Sequence, residues 1–186
     1  MALKKNCHVF IEKPITVSLS EADNILRLAN NSGVIVQVGH IERLNPALLA
    51  LDSYTLKPKY IEVQRLAPYT TRGTEVPVVL DLMIHDIDIV LALVKSQVDT
   101  IHASGLSIMT DSVDIANARI QFVDGTIANI TSSRIAKDKV RKLKAFQNSK
   151  TQKLGKPLKL DAIYGKYFKY KIIFQGFTRE SVCYKS

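Results

Sequence analysis

The sequence is 186 residues long, with 46% hydrophobic residues, 23% charged residues and a formal net charge of +9. These values are typical of a globular protein, exclude a low-complexity chain, and allow one large domain or a domain with part of another. No apolar run is long enough to cross a bilayer and the first residues lack the apolar core of a signal peptide, so the sequence predicts a cytoplasmic protein with no membrane partner. Cys7 and Cys183 lie outside any Cys/His cluster, which predicts free thiols and no metal site.

The positive charge is concentrated at the C-terminal end. Residues 150–186 contain nine basic and two acidic residues, a net charge of +7, which leaves +2 for the preceding 149 residues. We therefore predict a divergent basic tail over residues 149–186, either non-native sequence such as an out-of-frame segment or a lineage-specific extension. Its interspersed Tyr and Phe residues leave a nucleic-acid-binding module open as an alternative, although no RNP, KH or helix-turn-helix pattern accompanies them.

The first 42 residues alternate strand, helix and strand. His8–Ile11 and Val34–Val38 are continuous apolar runs, and between them lies a helix that Ser18 or Ser20 can cap and Gly33 can end. Unalternating apolar strands joined by a helix predict a parallel sheet with a right-handed crossover.

Glu12-Lys13-Pro14 follows the first of these strands directly. The carboxyl end of a strand in an open α/β sheet is where such sheets bind ligands, so Lys13 is a candidate site residue. The alternative is an ordinary turn with a surface lysine.

The pattern changes after the second strand. A helix is predicted from Pro46, behind an Asn45 cap, to about Tyr54. Alternating apolar and polar residues are typical of antiparallel strands with one covered face, and Asp124-Gly125 is a hairpin turn. The remaining predicted elements are a strand at Tyr60–Leu66, a helix at Val78–Lys95, and strands at Thr100–Ile108, Ile115–Phe122 and Thr126–Ser132.

The helix at 78–95 carries polar residues on an apolar background. Asp81, His85 and Asp88 fall at positions i, i+4 and i+7, which is one stripe of an α-helix. Asp81 can orient the His85 ring and stabilise its imidazolium form, as a general base requires. The alternative is a hydrogen-bonded core histidine with an acidic neighbour. Metal binding through His85, Asp86 and Asp88 is not predicted, because these positions do not share a face.

Three motifs in order resemble the glucose-fructose oxidoreductase and inositol dehydrogenase family, often written Gfo/Idh/MocA. They are the segments 8–14 (HVFIEKP) and 38–46 (VGHIERLNP) and the pattern Asp81-x-x-x-His85-x-x-Asp88. The similarity extends from about residue 1 to 148, and the second segment most resembles members acting on nucleotide-linked amino sugars such as UDP-N-acetylglucosamine.

The resemblance implies an α/β fold, with the C-terminal remnant of a Rossmann parallel sheet in residues 1–42. An α+β domain with a mainly antiparallel, open-faced sheet would follow in residues 43–148. It also implies an NAD(P)-dependent oxidoreductase acting on a sugar, nucleotide-sugar or cyclitol hydroxyl, with homo-oligomers formed through the open sheet face. The alternative is a catalytically inactive fragment that acts only in oligomerisation or interaction.

The resemblance also assigns roles to individual residues. Lys13, Asp81 and His85 are the implied catalytic residues, with His85 as the general acid/base. These three and Asp88 would bind substrate. The implied cofactor-binding residues, for NAD or NADP, are Glu12, Lys13, Pro14 and Arg43.

The sequence departs from the family pattern in two places. No two of its eight glycines are two residues apart, so the GxGxxG phosphate-binding fingerprint is absent and the N-terminal part of the Rossmann domain is expected to be missing. Met83 stands where relatives often have glycine, which brings the room for substrate near that turn into question.

Overall fold

The computed structural model describes residues 2–52, 54–71, 73–147, 158–163, 172–174 and 177–179, the last three ranges as backbone strands. The chain divides into two units, Met1–Ile41 and Glu42–Ser186. None of the helices in the described ranges is both long and apolar enough to cross a membrane.

The first unit contains a 3₁₀ turn (Ala2–Lys5) followed by strand β1 (Val9–Glu12), helix α1 (Leu19–Ser32) and strand β2 (Val36–Gly39). The two strands pair in parallel, with Val9 opposite Val36 and Glu12 opposite Gly39, as the apolar runs predict. Of the two candidate caps the structure selects Ser18, which forms a reciprocal capping box with Glu21. Gly33 ends α1 at a φ of 63°, a left-handed conformation that glycine adopts without strain.

The second unit is a six-stranded sheet with the order β4-β5-β6-β3-β7-β8. All neighbouring strands are antiparallel except β3 and β6, which pair in parallel. The predicted open-faced, mainly antiparallel sheet is therefore confirmed. Its strands are β3 (Tyr60–Leu66), β4 (Val98–Leu106), β5 (Ile115–Phe122), β6 (Ile127–Ser133), β7 (Val140–Gln147) and β8 (Leu158–Ile163), and a separate hairpin joins β9 (Ile172–Phe174) to β10 (Phe177–Arg179).

Helix α3 (Ile84–Val94) covers one face of this sheet. The inward side chains of β3, β5, β6 and β7 pack with Met83, Ile89 and Val90 in a single core cluster. Residues at the alternate positions of these strands, except Ser133, are half-buried or exposed. Edge strand β4 is exposed along its whole length.

Two predicted elements end two or more residues earlier in the structure than the sequence predicts. Helix α2 (Pro46–Leu49) has the predicted Asn45 cap but ends well before Tyr54. The N–H groups of Leu51 and Asp52 donate to carbonyls three residues earlier, as in turns, and not four residues earlier as in an α-helix. Strand β4 ends at Leu106 instead of Ile108. The backbone N–H groups of Ile108 and Met109 donate to the Asp114 carboxylate at 2.8 and 2.7 Å, and so leave the strand ladder.

The sheet backbone continues beyond the predicted body. Strand β8, at Leu158–Ile163, pairs with β7 over six residues, so part of the basic segment 149–186 belongs to the sheet. The domain boundary at 148 stays a prediction, and the remainder of the tail lies largely outside the described residues.

Candidate active site

The predicted helix at 78–95 is not a continuous α-helix. Its first part, Val79–Met83, is a π-helical turn in which the N–H of Ile84 donates to the carbonyl of Val79, five residues earlier. A π turn holds more residues than an α turn. Asp81 is therefore rotated about the helix axis, away from the position in line with His85 and Asp88 that α-helical spacing predicts. Single π turns within helices occur frequently at functional sites.

Asp81 and His85 lie at this junction, Asp81 within the π turn and His85 in the first turn of α3. Both are half-buried. Met83, between them, is only 2% exposed and belongs to the core cluster. Its side chain therefore packs in the core, and its effect on the room for substrate stays a prediction.

Asp81 lines a cavity of about 300 Å³. His85 and Asp88 are not among its lining residues. The cavity combines a carboxylate, two cationic side chains and apolar surface, so it can hold a ligand that has both polar and charged groups. Its lining residues are Ala67, Pro68, Thr70, Gly73, Asp81, Leu82, Arg134 and Lys139.

Asp88 and Arg43, predicted to bind substrate and cofactor respectively, bind each other. Arg43 donates through Nε and Nη2 to the two carboxylate oxygens at 2.7 and 2.5 Å. The hydrogen bond from Asp88 raises the pKa of Arg43 above its usual value. The Asp88 side chain is 9% exposed and that of Arg43 54% exposed, so the pair ties α3 to the segment preceding α2 while the guanidinium still reaches solvent.

A second ion pair on the same helix was missed by the sequence analysis. Asp86 and Arg65 are 3% and 4% exposed and form two hydrogen bonds of 2.9 and 2.7 Å. Burial raises the pKa of Asp86, and the attraction of Arg65 offsets this only in part. Glu42 extends this network: its Oε1 lies 3.6 Å from Nη1 of Arg65 and 3.1 Å from Nη1 of Arg141.

The sequence does carry a signal for this pair. Arg65 follows Ile61 and Val63 at the inward positions of β3, where a charged side chain requires a partner. The spacing that singled out Asp81, His85 and Asp88 does not include Asp86.

A further buried network fixes the loops around the cavity. Arg134 donates to the backbone carbonyls of Gly73, Val76 and Val113. Its Nε lies 3.7 Å from a carboxylate oxygen of Asp114. Burial raises the pKa of Asp114, but hydrogen bonds from three backbone N–H groups and the Thr110 hydroxyl outweigh it and hold that pKa well below its usual range. These hydrogen bonds hold the segment 73–76, of which Gly73 lines the cavity, to the sheet.

Glu12, Lys13 and Pro14 lie in the first unit, at the carboxyl end of β1. The Lys13–Pro14 bond is cis. A Cβ atom on Gly39 would lie 2.9 Å from Glu12 Oε2, so glycine at the end of β2 leaves room for the Glu12 carboxylate. The predicted site residues thus form one group in each unit, and their roles stay predictions.

Comparison with known proteins agrees with the motifs. Residues 1–40 match the GFO_IDH_MocA model, an oxidoreductase family with an NAD-binding Rossmann fold. Residues 64–151 match the GFO/IDH/MocA C-terminal domain. The chain belongs to the Gfo/Idh/MocA oxidoreductase family.

Three curated relatives that the chain matches are dehydrogenases. The chain is 35% identical over 147 residues to UDP-N-acetylglucosamine 3-dehydrogenase of Acidithiobacillus ferrooxidans, a match that covers 78% of this chain and 47% of the relative. It is 27% identical to scyllo-inositol 2-dehydrogenase (NAD(+)) of Bacillus subtilis, with 72% and 43% covered. The chain thus spans about half the length of the curated relatives that it matches.

A solved structure supports the same fold. The Acidithiobacillus ferrooxidans UDP-N-acetylglucosamine 3-dehydrogenase superposes with a TM-score of 0.85 at 29% identity, over 100% of this chain and 58% of that one. The antiparallel sheet and the parallel β1–β2 pair are therefore those of a Gfo/Idh/MocA protein.

Proposed function

We propose that the protein supplies the substrate-binding and acid–base residues of an NAD(P)-dependent dehydrogenase acting on a hydroxyl of a sugar, nucleotide sugar or cyclitol. The observation that supports this proposal is the π turn: it contains Asp81, which lines a cavity, and it leads into the first turn of α3, which contains His85, in a Gfo/Idh/MocA chain. The matched relatives, which act on UDP-N-acetylglucosamine and on inositols by their names, support the substrate range.

In the proposed reaction a C–OH group becomes C=O. The nicotinamide supplies the redox chemistry, by taking the hydride from the carbinol carbon. His85 takes the hydroxyl proton and returns it in the reverse direction, while Asp81 orients the reacting centre. The Lys13 ammonium lowers the pKa of the hydroxyl and stabilises the developing alkoxide.

The residues at the carboxyl end of β1 offer groups that can contact the ribose of a nicotinamide cofactor. Glu12 offers a carboxylate and Lys13 an ammonium at the edge where open parallel sheets bind ligands. Arg43 offers a cationic side chain that reaches solvent and can contact a ribose or phosphate group. These groups are compatible with NAD and with NADP.

We expect the 186-residue chain to bind NADH weakly by itself, because its sequence has no glycine pair of the kind that cradles a pyrophosphate. A chimera carrying the cofactor-binding segment of the Acidithiobacillus relative ahead of residue 1 should bind NADH more tightly. Calorimetry on both proteins measures the difference. Micromolar affinity in the chain alone would contradict this expectation.

Turnover tests the proposed function itself. Formation of NADH from NAD, or of NADPH from NADP, is followed with UDP-N-acetylglucosamine, myo-inositol and scyllo-inositol, for both the chain and the chimera. Oxidation of any of these substrates supports the proposal. If neither protein oxidises any of them, the proposed function is wrong.

The open face of the sheet favours a second role, in self-association. Side chains on this face form a polar ladder across four strands: Asn117–Thr131, Arg119–Asn129, Asn129–Tyr60 and Lys144–Glu62, at 2.7–3.3 Å. A two-fold interface places a patch against its own copy and therefore needs donors and acceptors in the same patch, which this ladder provides.

We expect Arg119→Glu to shift the protein towards monomers, because it removes a hydrogen-bond donor from the ladder and adds a second carboxylate to that of Glu62 in both copies. Light scattering measures the mass. Lys137→Glu, an exposed charge reversal outside the ladder, is the control. Equal masses for the two variants would mean that this face is not the interface.

A further inference from the structure

The π turn and α3 form one continuous helix, which begins without a side-chain cap. Val78, at the N-cap position of the π turn, makes no side-chain hydrogen bond to the helix. Helices α1 and α2, by contrast, are capped by Ser18 and Asn45. The start of α3, which contains His85, therefore depends on side-chain contacts with the rest of its domain.

Two bidentate ion pairs make such contacts at the start of α3. Arg65 donates to both oxygens of Asp86 at 2.9 and 2.7 Å, and Arg43 donates to both oxygens of Asp88 at 2.7 and 2.5 Å. Successive residues of an α-helix are about 100° apart around its axis, so positions 86 and 88 are about 200° apart. The two pairs therefore hold the helix from nearly opposite sides, and together they resist its rotation about the axis.

Asp88 is better placed to hold the helix than to bind a ligand. Its side chain is 9% exposed, and each of its carboxylate oxygens accepts a hydrogen bond from Arg43. It is not among the residues that line the cavity containing Asp81. A substrate hydroxyl would have to compete with a guanidinium for these oxygens, and charge-assisted bidentate pairs are among the stronger hydrogen bonds in proteins.

The charges around Asp88 are balanced. Among the described residues, the network joins three guanidinium groups to three carboxylates, so it has no net charge with which to attract an ionic ligand. Its members are Glu42, Arg43, Arg65, Asp86, Asp88 and Arg141. This composition fits a network that fixes the positions of its own elements.

We infer that Asp88 is a positioning residue: bound by Arg43, it fixes the rotation of the start of α3, and with it the direction in which His85 meets the substrate hydroxyl. This inference rests on the proposed function, since it takes His85 as the group that moves the proton. Loss of the positioning lowers kcat, because proton transfer requires His85 within hydrogen-bond reach of the hydroxyl. It leaves KM unchanged, because Asp88 does not contact the substrate.

Hydrogen exchange of backbone amides tests the positioning in the 186-residue chain itself, without turnover. We expect Asp88→Asn to speed exchange at residues 85–88 about tenfold, because it removes the charge and one of the two acceptors, a loss on the scale of one hydrogen bond to a charged group. The amides of β5 are the internal reference, since unfolding of the whole domain would speed their exchange as well. Asp99→Asn, exposed on edge strand β4, is the matched control and should leave exchange at 85–88 unchanged.

Steady-state kinetics of the chimera then separate positioning from substrate binding. With a substrate that the chimera oxidises, Asp88→Asn should lower kcat about tenfold and leave KM unchanged. Arg43→Lys should retain part of kcat, because an ammonium keeps the charge but not the two parallel hydrogen bonds. Asp99→Asn should change neither quantity.

The outcomes separate this inference from the proposed function. If exchange at 85–88 in Asp88→Asn rises no more than exchange in β5, the positioning role is overturned. A higher KM with kcat retained also overturns it, and would assign Asp88 to the substrate. A chimera that oxidises none of the hydroxyl substrates refutes the proposed function, and exchange in the chain alone still decides whether Asp88 fixes the start of α3.

Discussion

Replacing His85 by alanine is expected to lower kcat of the chimera about a hundredfold or more, while the Kd for NADH stays nearly unchanged. The reason is that His85 is the proposed group that takes the hydroxyl proton, and loss of a general acid/base typically costs this much. Steady-state kinetics and NADH titration measure the two quantities. His102→Ala, on the exposed edge strand β4, is the matched control and should leave kcat unchanged.

The partner variant Asp81→Asn tests whether the two residues act together. Since Asp81 is proposed to act with His85 on one hydroxyl, the double variant should lose clearly less than the product of the two single losses. Lys13→Ala should reduce kcat and weaken substrate binding, because the ammonium both holds the hydroxyl and stabilises its alkoxide. Full additivity of Asp81 and His85, or an unaffected rate in His85→Ala, would assign the helix to core packing instead.

Replacing Arg65 by methionine is expected to lower the free energy of unfolding by about 3–5 kcal/mol, because it leaves the buried Asp86 carboxylate without its bidentate partner. Urea denaturation measures the loss. Arg27→Met is the matched control: Arg27 bonds to Asn24 on the exposed surface of α1, and its replacement should cost within about 0.5 kcal/mol.

The pH dependence of the free energy of unfolding gives a second test of this prediction. Arg65 lowers the pKa of Asp86, so its removal should raise that already elevated pKa further. A carboxyl whose pKa is higher in the folded than in the unfolded state contributes stability below about pH 4 and loses it as the pH rises. The loss caused by Arg65→Met should therefore be smaller near pH 4 than at pH 7.

A double variant tests whether the loss of stability comes from an unpaired buried charge or from the absence of the ion pair itself. Arg65→Met with Asp86→Leu replaces both charges by apolar groups, and we expect it to recover most of the stability, since buried pairs contribute little over apolar packing. If Arg65→Met lowers the free energy of unfolding no more than Arg27→Met does, the Arg65–Asp86 pair does not hold α3 on the sheet.

The elements predicted accurately are those encoded by neighbouring residues. Strands β3 and β5 have the predicted bounds, because alternating burial repeats every second residue and is visible in the sequence. Helix α1 follows from the same kind of local signal: Ser18 and Glu21 satisfy its first N–H groups, and Gly33 ends it. The family motifs are equally local, which is why the sequence identified Lys13, Asp81 and His85 as candidates.

Other features depend on residues distant in the chain. Strand β7 was not predicted as a separate element, because the adjacent basic residues Arg141 and Lys142 interrupt the alternation of apolar and polar residues. Its pairing with β3 and β8 identifies it as a strand. The pairing of Arg65 with Asp86, 21 residues apart, depends on where α3 crosses the sheet.

The sequence alone determined the family, most strands and helices and the identity of the candidate residues, because these follow from short-range patterns, whereas the π turn at Val79–Met83 appeared only in the structure. The tertiary structure decided what those residues contact. It paired Asp88 with Arg43 and placed Asp81 with Lys139 on one cavity. A buried charge requires a partner, and that partner is whichever residue the fold brings close, so spacing along the chain does not identify it.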